Sequence, residues 1–392
     1  MKLITDKQAE AVELCLRHNM PFALFALPGE KECRFFASLP DKEGECHAFR
    51  DDDASTDTDN TFFISYFNGD EPYVAGIRPR FDEHTVAEAL ADGNILPPTD
   101  IYPHRMSTRR ESYSTAFTRM RQRLRTHGGK VVLSRHETLF STRPLLDVAD
   151  EYMASDPLTF RYICYTPETG LWFGVTPELL LATDTASGTF STMALAGTLP
   201  ALTDEEWDDK NLLEHRYVAD YITTALSDLG LKVDLSPTEE LHTGIVKHLC
   251  TPVKATGTAD PMKVIYSLSP TPAVAGMPLE IAIAEIDTFE SHRRRCYAGV
   301  VGARIDGDFH AFVNLRCAFA AHADFQKSHG WLYNLYAGGG LMPDSEEEAE
   351  WNETVAKTVI LSTIIKCDNP SAKEYDLRDA VFTPYNHEPP LL

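Results

Sequence analysis

The chain has 392 residues, of which 43% are hydrophobic and 24% charged, a composition typical of globular proteins rather than of disordered or fibrous ones. Its formal net charge of -23 argues against nucleic acid and anionic membrane surfaces as partners. It has no apolar stretch of about 18 residues and no basic segment followed by an apolar run at its N-terminus, so we expect a cytoplasmic protein without a membrane span or signal peptide.

The first 110 residues alternate short apolar runs with loops and contain no catalytic motif. Three runs predict strands: residues 22–27, 34–38 and 61–67. The Asp-rich residues 51–59 predict a solvated loop. No linker or repeat separates this part from the rest, so residues 1–392 are predicted to form a single domain. The eight cysteines form no C-x-x-C pair and are expected to be reduced, mostly buried thiols.

After this part the pattern indicates one helix and then a series of strands with short connections. The helix is predicted over residues 112–127 and ends at Gly128 and Gly129, and Lys130 opens a strand over 130–140. Seven further strands are predicted: residues 158–166, 171–174, 178–183, 188–195, 297–305, 310–320 and 331–336. Short connections of this kind indicate antiparallel sheets, and with the helices they predict an α+β fold.

Three helices are predicted in the second half of the chain: residues 203–229, 279–289 and 345–366. Capping boxes mark the predicted starts of the two long helices: Thr203 with Glu206, and Ser345 with Glu348. We expect both long helices to pack against the sheets through their apolar faces.

Each long helix carries one carboxylate on its apolar face. Glu214 shares a face with Tyr217, Val218, Tyr221 and Ala225, and Glu353 shares one with Ala349, Ala356, Ile360 and Ile364. A buried carboxylate is costly unless it finds a partner. In one interpretation Glu353 pairs with Lys357 and Glu214 lies at a partly exposed helix edge. In the other, both hold a hard cation, and Mg²⁺ suits one or two carboxylates completed by water and an anionic substrate.

Eight segments, in order along residues 129–365, resemble the chorismate-utilising enzymes, which include isochorismate, salicylate, anthranilate and aminodeoxychorismate synthases. The segments are KVVLSR (130–135), FGVTPELLL (173–181), LAGT (195–198), LLEHRYVADYI (212–222), PTPAVAG (270–276), YAGVVG (297–302), NLRCA (314–318) and YAGGGLMPDSEEEAEWNET (336–354). Each segment alone is a weak signal, but their common order is specific. The resemblance implies an α+β fold with large antiparallel sheets and helices around a central active-site cleft. It places the catalytic part at residues 129–366.

The resemblance also implies a reaction, in which water adds at ring carbon C2 of chorismate while the C4 hydroxyl leaves. Lys130 would be the general base, because family members that add water carry lysine here and ammonia-using members carry another residue. Glu178 would be the general acid, which requires a pKa raised by burial or nearby negative charge. Without the motifs, Lys130 would be interpreted as a solvated lysine and Glu178 as an ordinary carboxylate, each at a strand start.

The same resemblance implies that Glu214 and Glu353 bind Mg²⁺, which holds the ring carboxylate of chorismate. Arg316 would bind the second carboxylate, helped by Lys357 and the backbone at Gly338. Three small residues would line the ring pocket: Gly197, Thr198 and Ala273. Two histidines match family histidines and are expected to have supporting or structural roles: His215 and His248.

The predicted function is therefore isochorismate synthase, feeding menaquinone or siderophore biosynthesis. Chorismate is the expected partner, no glutaminase subunit is expected, and the protein is expected to be a monomer or homodimer. Two alternatives remain: a salicylate synthase, which would also eliminate pyruvate, and a non-catalytic chorismate-binding homologue. Lys130 argues against anthranilate-type chemistry.

Overall fold

The computed structural model describes residues 2–39, 60–67, 74–90, 96–243, 246–366 and 377–385. The predicted loop at 51–59 lies outside the described residues, as do Cys46 and Cys367. Within the described ranges the chain forms eight helices: α1 (Asp6–His18), α2 (Val86–Ala89), α3 (Arg110–His127), α4 (Leu145–Ala154), α5 (Asp209–Asp228), α6 (Pro261–Leu268), α7 (Leu279–Phe289) and α8 (Glu347–Lys366).

The same ranges contain eighteen strands: β1 (Phe22–Ala26), β2 (Arg34–Ala37), β3 (Thr61–Ser65), β4 (Val74–Ile77), β5 (Lys130–Ser141), β6 (Phe160–Thr166), β7 (Gly170–Thr176), β8 (Leu179–Asp184), β9 (Thr189–Pro200), β10 (Lys232–Leu235), β11 (Glu239–Thr243), β12 (Val246–Thr256), β13 (Gly276–Met277), β14 (Val300–Ile305), β15 (Asp308–Val313), β16 (Cys317–Phe325), β17 (Ser328–Leu341) and β18 (Val381–Phe382). They form two sheets of nine strands each. Between these sheets and around them lie the helices that complete the core.

Sheet A has the order β13-β5-β17-β16-β7-β6-β1-β2, with β18 paired to β16. Sheet B has the order β10-β12-β9-β8-β15-β14-β3-β4, with β11 paired to β12. The pairings among the described strands are antiparallel, for example β17 with β5 and β12 with β9. This confirms the predicted α+β fold with large antiparallel sheets. The N-terminal strands extend one edge of each sheet, β1 and β2 in sheet A and β3 and β4 in sheet B.

Strand β1 shows how sheet A is buried on both faces. Its residues Phe22, Leu24 and Ala26 pack in a core with α1, α4 and α8. Ala23 and Phe25 face the other way, into the core that both sheets share with α3, α5, α6 and α7. Because successive strand side chains point to opposite faces, a strand covered on both sides must be apolar throughout.

The predicted start of helix α5 was wrong. The helix begins at Asp209, and Asp208 caps it by accepting a hydrogen bond from the backbone N–H of Asn211. Thr203 instead accepts a hydrogen bond from the backbone N–H of Glu205 in the preceding loop. An aspartate closer to the apolar run thus supplies the cap that the capping-box pattern had assigned to Thr203.

The predicted capping box at Ser345 was also wrong, since helix α8 begins two residues later, at Glu347. The Ser345 hydroxyl accepts a hydrogen bond from the Met342 N–H and donates one to the Glu350 carboxylate at 2.6 Å. The serine therefore ties the loop before α8 to a buried carboxylate on the helix.

The predicted strand over 310–320 is two strands that belong to different sheets. β15 ends at Val313 in sheet B, and β16 begins at Cys317 in sheet A. Arg316 lies between them with a φ of 46°, in the left-handed region that turns the chain. Both strands are buried, so the apolar pattern continues across the turn and does not reveal it.

Other predicted elements agree better with the structure. Helix α7 has the predicted bounds, and α3 begins two residues before the predicted start. Strand β9 runs five residues beyond its predicted end to Pro200, and the glycines at 338–340 continue strand β17 instead of ending it. Both extensions place glycines within sheet strands beside the candidate site described below.

The six cysteines among the described residues are buried free thiols, in agreement with the prediction. Burial raises the pKa of Cys250 to about 11, so this thiol is protonated at neutral pH. Among the described helices, none is long and apolar enough to cross a membrane.

Three histidine rings cluster inside the protein: the ring centroids of His104 and His292 lie 4.7 and 4.9 Å from that of His136 and 6.4 Å from each other. Burial lowers the pKa of His292 from its ordinary value of 6.5 to about 3 and also lowers that of His136. His136 and His292 are therefore neutral in the folded protein at pH values at which the same two histidines are protonated in the unfolded chain.

We expect acidification to destabilise the protein in part through His292. The pKa of His292 is about 3 in the folded protein and about 6.5 in the unfolded chain. The free energy of unfolding is therefore highest above about pH 6.5 and decreases as the pH falls toward 3. At pH 5 the loss from one such histidine is about 2 kcal/mol, and a His292→Gln variant should lack it. Urea unfolding at about pH 7.5 and about pH 5 measures this difference. His329→Gln is the control, because His329 is 78% exposed; equal pH dependence in both variants would contradict the assignment.

Candidate active site

The candidate site lies where the chain passes from one sheet to the other. Glu178 is in the crossover from β7 to β8, and Arg316 is in the crossover from β15 to β16. The two crossovers bond to each other: Val313 N–H donates to the Glu178 carbonyl at 3.0 Å, and Val175 N–H donates to the Arg316 carbonyl at 3.2 Å. Backbone hydrogen bonds of one junction therefore place both functional side chains.

Nine of the ten predicted site residues line a single cavity of about 90 Å³: Glu178, Gly197, Thr198, Glu214, Ala273, Arg316, Gly338, Glu353 and Lys357. The tenth, Lys130, contacts this group through Glu214. The residues come from both sheets, from α5 and α8, and from the loop before β13. The fold thus brings together all the residues that the motifs predicted.

Two ion pairs occupy the site. The Lys130 ammonium lies 2.9 Å from Glu214 Oε1, and the Lys357 ammonium lies 2.7 Å from Glu353 Oε1. Lys130 is fully buried and the Glu214 side chain is only 11% exposed, so neither is the solvated or helix-edge residue of the simpler interpretation. Glu353 does pair with Lys357, as that interpretation proposed, and Lys357 also donates to the Gly338 carbonyl at 2.8 Å.

Glycine at position 340 allows the first ion pair to lie directly against strand β17. A Cβ atom at Gly340 would clash with Glu214 Oε1 and would lie 3.0 Å from Lys130 Cε. The predicted glycine run therefore supplies space beside the backbone for two charged side chains.

Glu178 has the ionisation behaviour that a general acid needs. Its side chain is buried, and burial raises the pKa of the carboxyl from 4.5 to about 7, although Lys130 and Lys357 favour the charged form. Near neutral pH a large fraction of the molecules therefore hold a proton on Glu178.

The two histidines that the motifs contain have different surroundings. His248 lines the cavity, with Nδ1 3.0 Å from the Gly197 carbonyl and 3.3 Å from Thr198 Oγ1. Burial lowers the pKa of His248 to about 3, so the ring is neutral; Nδ1 donates to the carbonyl and Nε2 is an acceptor. His215 instead pairs with Thr251 Oγ1 at 2.7 Å, which joins α5 to β12.

Sequence reasoning missed two residues that line the cavity and one buried carboxylate, Glu350, close to Glu353. Tyr297 and Tyr336 line the cavity, and their rings stack with centroids 5.4 Å apart. Both tyrosines lie in motif segments given in the sequence analysis. An aromatic residue in or next to a strand, however, packs in the hydrophobic core more often than it lines a binding site. Glu350 is buried and bonds to Lys210 and Ser345 at 2.6 Å each. Burial, and then the neighbouring Glu353, raise its pKa to about 7; the acidic run around it concealed this position.

The donor atoms of the cavity fit a hard cation. Glu214 from α5 and Glu353 from α8 present carboxylate oxygens, the ligands that Mg²⁺ prefers. Among the described residues no group of three or more His, Cys, Asp or Glu side chains is arranged to hold a metal. Glu214 and Glu353, each also in contact with a lysine ammonium, would supply two ligands and leave the other positions to water and substrate, as Mg²⁺ sites commonly do.

A neighbouring cavity of about 230 Å³ extends the space available to a ligand. Arg316 and Lys357 line both cavities, so a shift of these two side chains would join them. The first cavity alone is smaller than the 300–1,000 Å³ typical of small-molecule sites. We therefore expect a ring-sized ligand to displace Arg316 or Lys357 as it binds.

Comparison with known proteins relates most of the chain to one family. The sequence profile of the family described as chorismate binding enzyme matches residues 83–366. Isochorismate synthase EntC of Escherichia coli K12 is 29% identical over 253 residues, which cover 60% of this chain and 61% of EntC. The match thus spans about three fifths of the length of that relative.

Two solved structures have the same fold. The putative 2,3-dihydroxybenzoate-specific isochorismate synthase DhbC from Bacillus anthracis superposes with a TM-score of 0.69 at 20% identity, covering 90% of this chain and 99% of DhbC. The menaquinone-specific isochorismate synthase MenF from Escherichia coli superposes with a TM-score of 0.68 at 21% identity, covering 88% of each chain. At these identities the likeness establishes the fold alone.

Proposed function

Because this chain belongs to the family of chorismate-binding enzymes, we propose that it is an isochorismate synthase. The enzyme would convert chorismate reversibly to isochorismate, with water adding at C2 and the hydroxyl leaving from C4. The observation that carries this proposal is that buried Glu178, with a pKa of about 7, lines the same cavity as Glu214, whose carboxylate contacts buried Lys130. The similarity to EntC supports the same reaction.

The reaction needs a base for the attacking water and an acid for the departing hydroxyl. Lys130 would take the proton from the water at its Nζ, and Glu178 would give its carboxyl proton to the C4 oxygen. In the reverse direction the two residues exchange roles. The Lys130 Nζ lies 2.9 Å from Glu214 Oε1, which positions the amine beside the cavity.

Substrate binding would use the remaining charged residues. Glu214 and Glu353 would hold Mg²⁺, which when bound neutralises the ring carboxylate of chorismate. Arg316 would bind the second carboxylate through its planar guanidinium, with Lys357 nearby. The ring would lie against small residues that leave space for it: Gly197, Thr198 and Ala273.

Water as the nucleophile means that no glutaminase partner is needed to supply ammonia. We place the reaction in the cytoplasm, where the product would enter menaquinone or siderophore synthesis. Of the two neighbouring structures, one is named as menaquinone-specific and the other as 2,3-dihydroxybenzoate-specific.

Product analysis of chorismate turnover, with and without Mg²⁺, tests this function. We expect the parent protein to form isochorismate with Mg²⁺ and without ammonium. Glu214→Ala and Glu353→Ala should each lose roughly 10²-fold or more of the activity, because each removes a metal ligand. Circular dichroism should show that both variants are folded.

Three other outcomes would contradict the proposal. Absence of any new product from folded parent protein with Mg²⁺ would leave only a non-catalytic chorismate-binding homologue. Release of pyruvate without a partner enzyme would indicate a salicylate synthase. Formation of an amine that depends on added ammonium would indicate anthranilate-type chemistry.

A further inference from the structure

A second cavity, of about 680 Å³, shares a wall with the candidate active site. Arg294 lines this cavity and donates to the carbonyls of Val274 at 2.6 Å and Val132 at 2.7 Å, two residues that line the active-site cavity. The volume is within the range of small-molecule sites. None of the residues with a proposed role in chorismate turnover lines it.

The lining of this second cavity combines an apolar part with charged groups. Tyr66, Phe67, Ile101 and Ile286 form the apolar part. The charged part contains three consecutive arginines, at 293–295, against two carboxylates, so it carries one excess positive charge. A ligand with an apolar body and one negative charge matches both parts.

The internal ion pair of this wall shows which arginine is available to a ligand. Arg294 binds Glu290 through two hydrogen bonds, of 2.6 and 2.9 Å, and its guanidinium lies 4.5 Å from the centroid of the Phe67 ring. Its charge is therefore satisfied within the protein. Among the described residues, Arg295 Nη1 has no hydrogen-bond partner although the atom is buried.

The backbone at Arg295 is in a conformation that this residue type seldom adopts. Its φ is 55°, in the left-handed region that glycine and asparagine tolerate better. A hydrogen bond from Phe67 N–H to the Arg295 carbonyl, at 2.7 Å, holds this conformation, and the guanidinium lies 4.9 Å from the centroid of the Phe319 ring. A strained residue that keeps a long cationic side chain at a cavity indicates a functional position.

His292 adds a second unpartnered polar group to the same wall. It is only 8% exposed, and its Nε2 lies 3.0 Å from Ser134 Oγ. Its Nδ1 has no partner within the described part of the chain. Buried polar atoms are normally hydrogen-bonded, so two unsatisfied atoms at one cavity point to a missing polar ligand.

We propose that this second cavity is a binding site for a small aromatic monocarboxylate. The Arg295 guanidinium binds the carboxylate, since its planar donor pair matches that anion. The aromatic body of the ligand packs against Tyr66, Phe67 and the two isoleucines. The site is separate from the proposed chemistry, which uses Lys130 and Glu178.

Calorimetric titration with benzoate tests the proposal, with benzamide as the uncharged probe of the same shape. We expect the parent protein to bind benzoate more tightly than benzamide. Arg295→Asn should weaken benzoate binding about tenfold or more, because a charge-assisted hydrogen bond is lost. Asparagine tolerates the left-handed backbone, so the variant should fold, and Arg295→Gly is a second variant with the same property.

Arg316→Gln separates this site from the candidate active site, which also binds carboxylates in the proposed function. Benzoate binding that persists in Arg316→Gln and weakens in both Arg295 variants supports the proposal. Absence of binding to the parent, equal binding of benzamide, or a loss confined to Arg316→Gln would overturn it. No turnover of chorismate is involved, so failure here and failure of the proposed isochorismate synthesis are distinguishable.

Discussion

Replacement of Lys130 with glutamine should lower kcat for isochorismate formation roughly 10²–10⁴-fold, the usual contribution of a positioned general base. Lys130 is fully buried, and its ammonium contacts Glu214 at 2.9 Å. Glutamine keeps similar length and polarity but cannot take the proton from water. Initial rates at saturating chorismate and Mg²⁺, with chromatographic quantification of isochorismate, measure the change.

Lys357→Gln is a matched control for Lys130→Gln, because both remove an ammonium from the same group of ion pairs. The Lys357 ammonium contacts Glu353 at 2.7 Å, and the residue lines the cavity beside Arg316. Its proposed role is to bind the substrate carboxylate, so this variant should raise KM more than it lowers kcat. Equal loss of kcat in both variants would mean that Lys130 supports the reaction only through its positive charge and is not the general base.

The stability of the Lys130→Gln variant must be measured together with its rates. Removal of the Lys130 ammonium leaves Glu214 without its partner, which costs roughly 3–5 kcal/mol for a fully buried pair. The Glu214 side chain is 11% exposed and lines the cavity, so solvent reduces this cost. The variant is thus expected to fold, and its circular dichroism spectrum should match that of the parent.

The sequence predicted segments that cover twelve of the eighteen described strands, because these strands are apolar runs bounded by turns. It did not predict β4, β10, β11, β12, β13 or β18. It failed at the boundary between β15 and β16, where one continuous apolar run contains a change of sheet. The signal that was present is local: Asn314 and Arg316 interrupt an otherwise apolar run. Periodicity does not reveal that a left-handed residue redirects the chain there, because burial on both sides of the break is the same.

Nine of the ten residues proposed for the candidate site lie in the eight ordered segments, and the structure brings all ten together. Helix phase alone placed Glu214 and Glu353 on apolar faces, which agrees with their position at one cavity. Helix phase gave the pairing of Glu353 with Lys357 as one interpretation. It could not show that Glu214 has a lysine partner, since Lys130 comes from a strand far away in the sequence. Contacts between distant segments depend on the packing of the two sheets, and no local pattern records them.

Glu350 illustrates the other limit of sequence reasoning. It lies in the run EEEAE, where each glutamate has the same local pattern, yet it is only 1% exposed. Its burial follows from contacts with Lys210 on α5 and Ser345 before α8. Only the tertiary structure distinguishes it from its solvated neighbours.

Glu178→Gln should combine a large loss of activity with a gain in stability. Loss of the general acid should lower kcat roughly 10²–10⁴-fold. Glutamine is close in shape to the protonated carboxyl, so the buried position should accept it. In the parent, the protonated fraction of Glu178 falls about tenfold per pH unit above about pH 7. The pH profile of kcat/KM should therefore show an inflection near pH 7 that the variant lacks.

The stability effect follows from the raised pKa of Glu178, about 7 when folded against its ordinary value of 4.5. The contribution of Glu178 to the free energy of unfolding is therefore fully present below about pH 4.5, and it is lost as the pH rises through 7. Glutamine never ionises, so at about pH 8 the variant should exceed the parent by about 3 kcal/mol in unfolding free energy, with little difference near pH 4.5.

Glu353→Gln is the control of opposite sign. Burial is the largest influence and would raise the pKa of Glu353, but the charge and hydrogen bond of Lys357, with the charge of Lys210, together outweigh it and the net shift is downward. Neutralising this residue should therefore destabilise the protein at the same pH, because a favourable ion pair is lost. Urea unfolding of both variants at about pH 8 compares them directly. Near-parental activity of Glu178→Gln, or lower stability than the parent at that pH, would show that Glu178 is not a buried acid held neutral for catalysis.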